Sequence, residues 1–209
     1  MVIITAGMIG VGKTTLTTLL AEHLGTRPFY EPVEGNPVLP DYYKNPERFA
    51  FSLQIYFLNK RFAMIKQALA DDNNILDRSI YEDALFTAEN HKSGNITDVE
   101  YNIYLDLLDN MMGEINATAK ERPDLLVFID ADFDTILNRI KKRGRDYEQI
   151  ENDPSLEEYY HRMWNRYREW FDDYDISPKI RIDLEHNDLS NPEDALRVLD
   201  IIDRKIANV

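Results

Sequence analysis

Residues 7–14 read Gly7-Met8-Ile9-Gly10-Val11-Gly12-Lys13-Thr14, a complete Gly-x-x-x-x-Gly-Lys-Thr loop. Glycines at this spacing let backbone N–H groups turn inward around a phosphate. A helix opening at Lys13 aims its positive dipole end at the same group. Lys13 then reaches the β- and γ-phosphates of a nucleotide, and the Thr14 hydroxyl is placed for Mg²⁺. The expected ligand is ATP, cradled by residues 7–15 with Thr15 closing the set.

A second set of reactive side chains follows two later apolar runs. Tyr30-Glu31-Pro32 and Asp77-Arg78-Ser79 each stand at the carboxyl end of an expected strand. In parallel α/β sheets ligands bind beyond those ends. If the two strands neighbour the first, Glu31, Asp77 and Arg78 converge on the nucleotide phosphates. That grouping suits phosphoryl transfer to a hydroxyl. The acceptor oxygen must lose a proton, so a carboxylate within reach serves as general base. Glu31 is the candidate. Arg78 can orient it and neutralise charge on the transferring group. Asp77 can hold the metal, directly or through water. Asp130 also ends an apolar run and is a rival metal ligand, whereas Asp132 reads as the cap of a helix opening at Phe133. The bland alternatives are a loop that simply begins at Glu31 and a surface Asp77–Arg78 ion pair worth about 0–1 kcal/mol.

Residues 139–145 hold Arg139, Lys141, Lys142, Arg143 and Arg145, the densest basic stretch of the chain. Cations in a last helical turn with Gly144 as the stop explain part of this. A lid near residues 141–153 that closes over ATP phosphates explains the concentration of charge, since its arginines stabilise the transferring group and exclude water.

These residues need a scaffold, and the 209-residue chain offers alternating strands and helices. Strands are expected at residues 2–6, 29–32, 74–76, Leu125–Asp130 and 180–184. Helices are expected to begin at Lys13, Pro46, Ile80, Asp98, Phe133, Pro154 and Pro192. Thr97 and Glu100 form a capping box, and Asp153-Pro154 and Asn191-Pro192 place a cap before a first-turn proline. Residues 35–45 read as an irregular loop with one short helical turn at most. The alternation implies a parallel sheet covered by helices on both faces, in one domain spanning 1–209.

Composition narrows the partners. The formal net charge is −14, which argues against nucleic acid or an anionic membrane surface, although a nucleotide needs only a local basic patch. There is no cysteine, hence no disulfide or thiol chemistry. No apolar run is long enough to span a bilayer, and the chain enters its first strand without a separate signal segment. A soluble cytoplasmic protein is the expectation.

Taken together, the phosphate loop, Glu31-Pro32-Val33-Glu34, Tyr43 ahead of Asn45-Pro46-Glu47-Arg48, Gln54, Asp77-Arg78-Ser79 and the run from Arg143 to Gln149 resemble the deoxynucleoside kinases, and within them the bacterial deoxyadenosine/deoxyguanosine branch. The likeness runs in order from the first strand to about Tyr174. It implies a P-loop kinase fold with a five-stranded parallel sheet, an Arg-rich lid and a homodimer. It also implies Glu31 as base on the 5′-hydroxyl with Arg78 as its partner. By the same resemblance Tyr43 and Glu148 hold the sugar 3′-hydroxyl. Gln54 reads the base, Arg61 and Asp83 form a charged pair beside it, and Arg139, Arg143 and Arg145 are lid arginines. Asp77 stands where many animal members carry Glu. Feedback by a deoxynucleoside triphosphate is implied only as a family habit.

Gln54 and Arg61 lie seven apart on one helix and share a face. That helix is apolar nearly all round through Phe51, Ile55, Tyr56, Leu58 and Phe62, so a polar pair on it points to a pocket. The expected activity is ATP-dependent phosphorylation of a deoxynucleoside, deoxyadenosine first, with deoxyguanosine or deoxycytidine also open. A nucleoside monophosphate kinase of the thymidylate type is the alternative, but it needs cations at the acceptor, where this chain offers Glu31, Glu34 and Asp41. A non-enzymatic ATP switch would need no such base.

Overall fold

The structure, a computed structural model, describes every residue except Pro32, Glu34, Thr118, Ala119 and Val209. Five parallel strands form one sheet in the order β2-β3-β1-β4-β5. They are β1 (Val2–Gly7), β2 (Arg27–Phe29), β3 (Asn74–Asp77), β4 (Leu125–Asp130) and β5 (Lys179–Asp183). Every residue of the three inner strands is buried, as apolar runs covered on both faces require. Helices α1 (Lys13–Leu24), α2 (Leu39–Lys44), α3 (Pro46–Ala70), α4 (Ala84–Lys92), α5 (Asp98–Asn116), α6 (Phe133–Arg143), α7 (Ser155–Asp173) and α8 (Pro192–Ile206) flank the sheet. The fold class is the α/β arrangement expected.

Local signals set most helix ends. Asn45 accepts from the Arg48 amide ahead of Pro46, and Asn191 caps α8 ahead of Pro192. The Thr97–Glu100 capping box opens α5, Asp132 caps α6, and Gly144 stops it in the left-handed conformation. Residues 39–44 form the one short helix that the irregular loop allowed. No helix among the described residues is long and apolar enough to cross a membrane.

Several boundaries differ from expectation. β2 covers Arg27–Phe29 rather than 29–32, because its ladder with β3 pairs Arg27 with Asn74 and ends at Phe29 with Leu76. Pro28 is tolerated because β2 lies at the sheet edge. β3 extends to Asp77, and β5 sits one residue earlier than expected. The helix expected from Ile80 is a 3-10 turn over Ile80–Glu82, followed by α4. α7 starts at Ser155, one residue past Pro154.

The main core lies against the sheet. A smaller cluster of Leu39, Tyr42, Ala50, Leu53, Phe57 and Ile96 ties α2 to α3. Between this cluster and the strand ends lies the site. Gly7 closes β1 with φ +146°, and a Cβ there would stand 2.5 Å from the Ile129 carbonyl oxygen on β4. Gly7→Ala is expected to cost about 1–3 kcal/mol, read as a lower urea midpoint at unchanged slope.

Candidate active site

The carboxyl ends of β1 and β3 open onto a cavity of about 850 Å³. Ile9, Gly10, Val11, Gly12, Lys13, Thr14 and Thr15 form one wall, and Glu31, Tyr43, Gln54, Arg61, Asp77 and Arg78 line the part beyond it. Arg139, Arg143, Arg145 and Glu148 complete the rim. Residues far apart in the chain thus meet at one opening.

Two residues expected to cradle ATP lie behind this wall. Gly7 and Met8 are absent from the cavity wall, and Met8 is buried in the core. Their carbonyls instead receive the Lys13 ammonium, each at 2.9 Å. Burial, with the Arg78 charge second, lowers the Lys13 pKa to about 8. Asp83 is also off the wall. It is fully buried behind Arg61 and reaches the cavity only through that guanidinium.

The Thr14 hydroxyl lies 2.5 Å from Asp77 Oδ2, so the two candidate metal ligands are adjacent. Asp77 Oδ1 is buried with no hydrogen-bond partner among the described residues. Burial raises the Asp77 pKa, and Lys13 opposes this. A hydroxyl beside an orphaned carboxylate oxygen suits a hard divalent cation. Asp130 is used differently. Both of its oxygens accept from Arg168 Nε at 3.1 Å, and Arg181 stands 3.8 Å away.

Glu31 follows β2 by two residues and is mostly buried, with its side chain 15% exposed. Its Oε1 accepts from Arg78 at 3.3 Å and also from Arg61. Sequence reasoning paired Glu31 with Arg78 alone. Arg61 in fact bridges Glu31 and Asp83 with its two terminal nitrogens. Burial pushes the Glu31 carboxyl up, but Arg78 and Arg61 more than offset it, and its pKa falls to about 2. Glu34 and Pro32, both counted on from the sequence, lie outside the described residues.

Gln54 is 3% exposed, lines the cavity, and its amide makes no hydrogen bond among the described residues. Phe57 underlies Arg61, with the guanidinium 4.7 Å from its ring centre. Tyr43 packs on Tyr147 at 4.9 Å between ring centres, and burial drives its hydroxyl pKa well up. Glu148 is buried and takes Arg143 at 2.5 Å and Arg145 at 3.3 Å. Arg139 donates to the Val11 and Leu184 carbonyls, at 2.8 and 3.0 Å. It ties the phosphate loop to the end of β5 from within α6. Residues 141–143 are the last turn of α6, and the stretch after Gly144 contains a 3-10 turn at Asp146–Glu148.

The cavity also uses Tyr159, Phe86 and Leu53, which sequence reasoning did not select. Tyr159 carries no local signal. Glu82 was missed too, although Ser79-Ile80-Tyr81-Glu82 has the Ser-x-x-Glu spacing of a capping box, and both of its bonds are present.

A family profile described as deoxynucleoside kinase matches residues 3–207. The chain belongs to that family. It is 53% identical to a deoxyguanosine kinase of Lactobacillus johnsonii over 98% of this chain and 92% of the relative. It is 48% identical to a deoxyadenosine kinase of Lactobacillus acidophilus over 100% of this chain and 97% of that one. Among solved structures, deoxyadenosine kinase from M. mycoides with bound dCTP superposes with a TM-score of 0.81 at 29% identity, covering 100% of both chains. As a deoxynucleoside kinase the chain is a phosphotransferase of deoxynucleoside salvage, with ATP as phosphate donor. The P-loop kinase fold that the resemblance implied is the fold of this family.

Proposed function

We propose that this kinase transfers the γ-phosphoryl group of Mg-ATP to the 5′-hydroxyl of a purine deoxynucleoside. The observation that carries the proposal is one cavity in which the phosphate loop faces Glu31, with the unpartnered Gln54 amide and Arg61 beyond it. In this reading Glu31 accepts the proton of the 5′-hydroxyl as the new P–O bond forms and the bond to the ADP oxygen breaks. Arg78 holds that carboxylate and balances charge on the transferring group. Thr14 and Asp77 would hold Mg²⁺, which neutralises phosphate charge when bound. Lys13 exchanges its two carbonyl partners for phosphate oxygens.

Tyr43 and Glu148 take the sugar 3′-hydroxyl. Arg143 and Arg145 now rest on Glu148, so substrate and the two arginines compete for one carboxylate. The segment 141–153 acts as the lid, and its closure over ATP moves Arg143 toward the phosphates. Arg139 stays on the Val11 carbonyl and stiffens the loop. A pair of copies in the cytoplasm belongs to the same proposal.

Gln54 can satisfy the N1/N6 edge of adenine while Arg61 donates to N7, which makes deoxyadenosine the first substrate. Deoxyguanosine is the second reading, because the relative at 53% identity is named for it. The amide can rotate to serve either purine. A steady-state screen of four deoxynucleosides and their monophosphates with Mg-ATP tests this. Phosphorylation of purine deoxynucleosides and of no monophosphate is expected. Turnover of monophosphates alone would instead favour the thymidylate-kinase type.

A further inference from the structure

Arg78 is the only non-glycine residue with positive φ among those described, at 72°. A side chain in that region carries strain that its surroundings must hold. Three contacts do so. The Arg78 amide donates to the Thr5 carbonyl at 2.9 Å. The Ser79 hydroxyl accepts from the Tyr81 amide, and Glu82 Oε1 accepts from the Ser79 amide, each at 3.3 Å. The turn after β3 is thereby stapled from both sides.

Glu82 does more than the staple requires. It is 0% exposed, and its second oxygen Oε2 lies 3.9 Å from Arg78 Nε. Neither of these two atoms has a hydrogen-bond partner among the described residues. The guanidinium is also seated over the Phe86 ring at 4.6 Å. Its far nitrogen, Nη1, reaches Glu31 at 3.3 Å. Arg78 therefore stands between two carboxylates, Glu31 toward the cavity and Glu82 behind. A capping box is served equally by Gln, which supplies the same acceptor oxygen without charge. Burying a carboxylate is costly unless a cation faces it. The cap does not account for that charge; burial raises the Glu82 pKa, and Arg78, ahead of Lys13 and Arg61, is the largest influence opposing it.

We propose that Glu82 is a positioning residue for Arg78. Its carboxylate fixes the guanidinium from behind, so that Arg78 stays aligned on Glu31 while its charge is shared with the transferring phosphoryl group. Glu82 touches neither the cavity nor the reacting atoms. The assignment rests on the reading of Glu31 and Arg78 given above.

The test compares Glu82→Gln, Glu82→Ala, Arg78→Lys and the Glu82→Gln/Arg78→Lys double variant in the full chain. Glu82→Gln keeps the cap. It is expected to leave the thermal midpoint and both KM values close to wild type while kcat falls about 5- to 10-fold, the pattern of a contact that matters in the transition state. Glu82→Ala loses cap and charge together, so its lower midpoint marks the structural share. On the Arg78→Lys background, Glu82→Gln is expected to change kcat less than about twofold, because residues that act through one another are not additive. An unchanged kcat in Glu82→Gln, or a kcat loss that repeats in full on Arg78→Lys, overturns the assignment. If the wild type turns over, is stopped by Glu31→Gln and is indifferent to Glu82→Gln, only the Glu82 assignment falls. A wild type that phosphorylates no deoxynucleoside overturns the functional reading and this assignment with it.

Discussion

Glu31→Gln is expected to lower kcat about 10³-fold while ATP affinity stays within about threefold of wild type. Gln fills the same space but cannot take a proton, and its amide pairs poorly with two guanidinia. Glu31 meets Arg78 and Arg61, whereas the phosphate loop binds ATP through other atoms, so donor binding survives. Arg78 and Arg61 hold the Glu31 carboxyl at a pKa of about 2. A carboxylate held there is ionised at every pH the folded chain meets in use, so kcat/KM should show no acid limb from Glu31 between pH 5 and 8. It is also a weak base in the resting site. Phosphoryl transfer tolerates this because its loose transition state asks for the hydroxyl proton late. The stability sign follows from the depressed pKa. The Glu31 contribution is full above the unfolded value near 4.5 and is lost as pH falls toward 2. Single-turnover assays with isothermal ATP titration check the mutant. Turnover within fivefold of wild type would remove Glu31 as the base.

What the sequence revealed depended on how local each cause was. The phosphate loop, the Thr97–Glu100 box and the Asn191-Pro192 start are decided within a few residues, and each stands where its pattern put it. The end of β2 is decided elsewhere. Phe29 and Tyr30 invite a longer strand, but β3 supplies the ladder and turns away at the strained Arg78. Only the sheet order, with β3 between β1 and β2, carries that information. The same holds for charge. Spacing placed Gln54 and Arg61 on one helical face, and both line the cavity. Spacing could not show that Arg61 spans from Asp83 to Glu31, because those partners come from different elements. Arg139 is a similar case. Its place in a basic run suggested a lid, while its guanidinium holds two carbonyls that only the fold brings near.

The Arg61 bridge makes the second large effect a matter of pairs. Arg61 is 2% exposed and Asp83 is 0% exposed. Arg61→Met alone strands the Asp83 carboxylate in the core, and breaking a buried pair from one side costs about 3–5 kcal/mol. For a chain of this length that corresponds to a thermal midpoint lower by about 10 °C. Arg61→Met with Asp83→Ala removes both charges, so about half or more of the loss should return, because buried ion pairs are often replaceable by apolar side chains. Glu31 keeps Arg78 in either variant. Base selection should then change in both variants, including the one that regains stability. Without the guanidinium a purine loses a donor, and the vacated space is apolar beside Phe57. The ratio of kcat/KM for thymidine to that for the preferred purine is therefore expected to rise about tenfold or more in the double variant. Thermal melts and the four-deoxynucleoside panel read the two effects separately. A double variant as unstable as the single one would mean that Asp83 is not the stranded charge, and an unaltered substrate profile would mean that the base is read by residues other than Arg61.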